Sequence, residues 1–147
     1  VSIDAAGGRF PSVARHHPDA TIVELGGNDM LAGFSPKSAE ANLDSILRQA
    51  GQGGTPLLLV GIANPRASAR VQRDWTEIWP RLAARHDALL HENLYAPLVA
   101  RPKSEWSVLL QADGVHASAQ GVERIVEALG PKVEELLAKV SLPDGDS

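Results

Sequence analysis

The sequence predicts an α/β fold in which helices cover both faces of a parallel sheet, and three observations carry that expectation. Short runs rich in β-branched and aliphatic residues, Thr21 to Leu25, Leu57 to Val60 and Ala88 to His91, alternate with longer segments of helical periodicity. The middle run, Leu57-Leu58-Leu59-Val60, is apolar at every position, as a parallel strand covered on both sides must be. After the first run, Gly26 and Gly27 release the backbone from strand geometry into a polar turn, as at a strand's carboxyl end in an open α/β sheet.

Composition sets the bounds. A chain of 147 residues with 44% hydrophobic and 22% charged residues can bury one core without disulfides or metal. One domain is expected over residues 1–140, followed by a polar tail over 141–147. Net charge is −4 with basic and acidic residues interspersed, so no footprint for nucleic acid is visible. No apolar run reaches the ~20 residues of a membrane span. Cysteine is absent, which excludes disulfides, thiolate catalysis and cysteine-ligated zinc. The chain opens on Val1, so the compartment, cytoplasmic or periplasmic and secreted, stays open.

Taken in order, Val1 to Gly8 reads as a small, glycine-rich loop. A short helix is expected over Phe10 to His17, closed by Pro18. His16 and His17 are expected at a solvated turn. After the first strand and its turn, Ser35-Pro36 reads as an N-cap with proline at the first helical position. Ala39, Leu43, Ile46, Leu47 and Ala50 then share one helical face, and Gly51 ends the helix. Ile62 to Ala69, with Asn64, Pro65 and Arg66, is a loop at the carboxyl end of the second strand; it reads first as a linker, with a wall of a substrate cleft as the alternative. Val71, Trp75, Ile78, Trp79 and Leu82 predict an amphipathic helix kinked or broken at Pro80, with its tryptophans in the core. Between Leu94 and Leu110, Pro97 and Pro102 predict irregular structure with a helical turn near Trp106. The last helix is expected from Ser118, with Val122, Ile125, Val126, Leu129, Val133, Leu136, Leu137 and Val140 buried and a bend at Gly130-Pro131.

Two stretches can carry chemistry. Val23-Glu24-Leu25-Gly26-Gly27-Asn28-Asp29 runs a buried strand into a glycine-opened turn. Asn28 therefore stands beyond a strand's carboxyl end, where open α/β sheets bind ligands and where an amide can donate to an oxyanion. A plain turn without chemistry is the alternative. In Asp113-Gly114-Val115-His116, a carboxylate three residues ahead of a histidine can fold back across the glycine and accept the ring N–H. That fixes the tautomer and stabilises the imidazolium once the other nitrogen takes a proton. Alone, such a spacing also arises by chance in loops.

Together, and in this order, the two stretches resemble the SGNH hydrolases, the GDSL family of lipases and esterases. The local match is close to their bacterial thioesterase/lysophospholipase/arylesterase branch, and the resemblance extends from about Ala20 to Val140. It implies a three-layer αβα sandwich of the flavodoxin-like SGNH type, acting as a serine ester or thioester hydrolase without metal or organic cofactor. It also implies His116 as general base, Asp113 as its orienting partner and Asn28 as oxyanion donor, with a small acyl ester or thioester as substrate. The family's nucleophilic serine lies in a Gly-Asp-Ser segment after a first strand. This chain lacks that segment, its strand and most of the second strand, so no nucleophile is evident. Val1-Ser2-Ile3-Asp4 resembles the end of the family's second block, with Ile3 where a glycine N–H serves the oxyanion. The chain does close on Gly145-Asp146-Ser147, but no strand precedes Ser147, and neither Ser2 nor Ser12 stands on a strand-to-helix elbow. The family sheet runs 2-1-3-4-5. Without its first strand, Thr21 to Leu25 becomes an edge, which implies a homo-oligomer or a complementing N-terminal segment as its cover. An inactive fragment or a degenerate ligand-binding module is the alternative function.

Overall fold

The computed structural model of the chain describes residues 2–64 and 67–140, and at its centre lie three parallel strands in the order β1-β2-β3. They are β1 (Thr21–Glu24), β2 (Leu57–Val60) and β3 (Leu89–His91), with Thr21 paired to Leu57 and Val60 paired to His91. All four residues of β2 are buried, as the uninterrupted apolar run requires.

Successive side chains of a strand point to opposite faces, and each face has its own helical layer. Leu57 and Leu59 join Val23 in a core built with α1 (Ile3–Ala14), α3 (Pro36–Ala50), α4 (Ala69–Thr76) and α5 (Ile78–Arg85). Leu58 and Val60 face the other way and meet Leu136 of α8 (Ala119–Leu137). The expected three-layer arrangement is therefore present.

Several local expectations need correction. The amino-terminal stretch is helical from Ile3 rather than looped to Gly8, and the helix ends at Ala14 rather than His17. Ser2 caps it, its Oγ accepting the Ala5 N–H at 3.3 Å, and Ile3 and Phe10 bury one face. A Cβ on Gly7 would lie 3.7 Å from Ile46, so α1 rests closely on α3, and this packing outweighs poor glycine propensity. The helix expected from Val71 to Leu82 is two helices. Proline at 80 offers no N–H to the carbonyl four residues back, that of Thr76, and α4 ends at that residue. Trp75 and Trp79 are buried as expected, whereas Val71 is exposed.

The last helix also departs from expectation. Val122, Val126 and Leu137 are 48%, 60% and 60% exposed rather than buried, in a helix that continues through Pro131. The cause lies in the sheet. Helix α8 packs over β2 and β3, and β1 has a single strand partner among the described residues. Ile22, on the α8 side of β1, is correspondingly 46% exposed. Among the described residues, no helix is long and apolar enough to cross a membrane.

Candidate active site

At the carboxyl ends of the strands lies a cleft of about 520 Å³, lined by both stretches singled out in the sequence. One wall begins where β1 ends. Gly26 takes φ 114°, a left-handed conformation, and a Cβ there would come within 3.0 Å of the Trp79 ring. The turn it makes starts α2 (Gly27–Leu31), whose second residue, Asn28, lines the cleft. Asp29 turns the opposite way. It is 4% exposed, and its two carboxylate oxygens accept the Ile3 N–H at 3.1 and 3.0 Å. The carboxylate thus satisfies a donor at the start of α1, as an acid at a helix N-terminus should. This corrects the reading of Ile3 as the position of a second oxyanion donor. Its N–H is committed to Asp29, and its side chain is fully buried away from the cleft.

The other wall is the loop before α8. Gly114, at φ 66°, lets the chain fold back so that Asp113 Oδ1 accepts the N–H groups of Val115 and His116 at 2.9 and 3.0 Å. Asp113 Oδ2 accepts the His116 Nδ1–H at 2.6 Å, a short charge-assisted bond. The ring contact first, and the two backbone donors after it, hold the Asp113 carboxyl down to about 2. With Nδ1 engaged, Nε2 is the ring nitrogen left to accept a proton. Both side chains are substantially solvent-exposed, so the pair is held by polar bonds rather than by burial.

Between these walls the lining is mostly apolar. Met30, Leu31, Ile62, Leu94, Leu98, Val99 and Trp106 contribute, together with Tyr95. Ile62, Ala63 and Asn64 place the loop after β2 against the cleft; its Pro65 and Arg66 lie outside the described residues. Sequence reasoning missed the contribution of residues 94–110. They form the single-turn helix α6 (Ala96–Val99), a 3-10 turn over Lys103–Glu105 and the single-turn helix α7 (Trp106–Leu109), which is the helical turn expected near Trp106; all are too short to give a periodic signal. No serine, threonine or cysteine lines the cleft among the described residues. Ser2 caps α1, Ser12 Oγ donates to the Arg9 carbonyl at 2.7 Å, and Ser147 lies outside the described residues. His16 and His17 are exposed, as expected.

A parallel sheet between helical layers, with a cleft at its carboxyl edge, is the fold of the SGNH hydrolases. The crystal structure of AlinE4, an SGNH-hydrolase family esterase, matches with a TM-score of 0.69 at 36% identity, over 93% of this chain and 72% of that one. The chain belongs to the GDSL-like Lipase/Acylhydrolase family, whose pattern it matches over residues 2–124. It is 30% identical over 137 residues to Esterase TesA of Pseudomonas aeruginosa, covering 90% of this chain and 66% of that protein. It is 29% identical over 131 residues to thioesterase 1/protease 1/lysophospholipase L1 of Escherichia coli K12, covering 88% of this chain and 61% of that protein. The chain thus spans under two thirds of the length of these curated relatives.

Proposed function

We propose that the chain is the base-bearing portion of a serine ester or thioester hydrolase, whose nucleophile stands outside residues 2–140. The observation that carries this reading is the Asp113–His116 bond on a cleft whose opposite wall carries Asn28. In the reaction, a serine hydroxyl attacks the acyl carbonyl while His116 Nε2 takes its proton. Asp113 keeps the proton of Nδ1 in place and offsets the imidazolium charge. Asn28 donates its side-chain N–H to the oxyanion as it forms. The imidazolium then gives its proton to the departing alkoxide or thiolate, and water repeats the sequence to release the acid and free the serine. None of these steps calls on a metal or organic cofactor. The apolar lining favours an acyl chain over a sugar as the group held in the cleft. Relatives named esterase and thioesterase support the same acyl-transfer chemistry.

The open side of β1, with Ile22 46% exposed on it, supports a cover there. That cover is a complementing strand that brings the nucleophile, or a second copy of the chain. The test is to fuse a nucleophile-bearing Gly-Asp-Ser strand block ahead of residue 1 and follow hydrolysis of short-chain aryl esters. Turnover is expected, and His116→Ala should lower kcat at least about a thousandfold with folding unchanged. A second reading, a ligand-binding module without turnover, rests on the absence of serine, threonine and cysteine among the described residues of the cleft. It gains if the fused, folded protein binds short fatty carboxylates and hydrolyses nothing.

A further inference from the structure

The cleft is mostly apolar, and its few polar groups are unbalanced in charge. Among the described residues that line it, Glu24 is a carboxylate and no lysine or arginine is present. Glu24 is the last residue of β1, just ahead of the turn that carries Asn28. Alternation along the strand buries Val23 in the core with α1 and α3 and sends Ile22 and Glu24 to the opposite face, where both are exposed. Among the described residues the Glu24 carboxylate accepts no hydrogen bond and joins no ion pair. Acids on the outer helical faces are partnered: Glu40 is held by Arg81, and Asp44 by Arg48 and Arg85.

An unbalanced charge in a cleft with apolar walls keeps much of its field, because little counter-charge lies within to cancel it. An ester has an acyl half and an alcohol half, and the lining of Met30, Leu98, Val99 and Trp106 suits the acyl chain. The other half is left to the polar groups, among them an ionised carboxylate. We propose that Glu24 is a specificity-determining residue that selects the leaving group by charge. Esters and thioesters of cationic amino alcohols and aminothiols are favoured over neutral ones, and those carrying a carboxylate or phosphate there are disfavoured. Attraction between one exposed carboxylate and one cation is modest, so the preference is several-fold and not an absolute exclusion.

The inference rests on the hydrolase reading, and its test separates the two. Octanoylcholine and 3,3-dimethylbutyl octanoate have nearly the same shape and differ by one positive charge. In the fused, nucleophile-bearing form at low salt, Glu24→Gln should lower the ratio of kcat/KM for the cationic over the neutral ester about fivefold. That loss should shrink as salt is added. A ratio unmoved by Glu24→Gln would overturn the inference and assign any preference for the cation to the aromatic faces of Tyr95 and Trp106. A binding measurement needs no nucleophile. The chain of 147 residues, acetylated at its amino terminus so that no terminal ammonium competes, is titrated with octyltrimethylammonium and with 2-(octyloxy)ethanol. The Gly27 and Gly114 amide resonances report occupancy of the cleft. Glu24→Gln should weaken the cation about fivefold relative to the neutral alcohol. Equal weakening of both ligands, or of neither, would overturn the inference. If the fused wild type shows no turnover, the hydrolase reading falls, and the binding ratio decides alone whether Glu24 selects cations.

Discussion

The two walls of the cleft are held by different physics. The Asn28 wall is continuous with the core: Gly26 fits beneath Trp79, Trp79 Nε1–H donates to the Ile62 carbonyl at 3.1 Å, and Asp29 is buried on the start of α1. The His116 wall is an exposed loop with little burial, held by Asp113 and Gln111 through hydrogen bonds. A donor that must meet developing charge without reorganising gains from the rigid setting. A base that must exchange protons with substrate and water gains from the exposed one. The contrast implies that the first wall fails only when the whole fold fails, whereas the second can fail by itself.

Three substitutions sharpen or break that contrast. The largest effect is expected from Trp79→Ala, which empties the core behind Gly26 and should cost ~3–5 kcal/mol of global stability in denaturant melts. A loss confined to the cleft would show that the Asn28 wall is not part of the core. Next, Asn28→Ala in the nucleophile-bearing form should remove ~3–4 kcal/mol of transition-state stabilisation, read as a fall in kcat rather than a rise in KM. A pure KM effect would make Asn28 a substrate-positioning group.

The smallest effect concerns pH. Because the Asp113 carboxyl is lowered from 3.8 to about 2, its contribution to loop order is complete above the unfolded value and fades as pH falls toward the folded one. The Val115 and His116 amide resonances should therefore shift with a midpoint near 2 rather than near 4. Asp113→Asn should abolish that titration and leave the global melt unaltered. A midpoint at the ordinary carboxylate value would mean that the His116 bond is not kept in solution.

The legible parts of this molecule were those in which local pattern and tertiary environment agree. Leu57 to Val60 is apolar throughout because it is covered throughout, and the turns at Gly26 and Gly114 need glycine for their positive φ. Asp113 and His116 could be paired from spacing because their bond closes within one turn. The amino-terminal helix was hidden because Gly7 and Gly8 are poor helix formers. Gly7 lies where α1 meets α3, an added Cβ falling 3.7 Å from Ile46, which no local pattern reports. The exposed stripe of α8 was misjudged because periodicity shows which face is apolar, not how much sheet lies beneath it.

The most direct test of the account is labelling with a fluorophosphonate, which modifies only serines activated by a nearby base. The chain of 147 residues is expected to remain unlabelled, since its described cleft holds a histidine and no hydroxyl nucleophile. Fused to a Gly-Asp-Ser block, it should label at the added serine and lose that label in His116→Ala. Labelling of the unfused chain at Ser147, Ser2 or Ser12 would place the nucleophile within these residues and contradict the account.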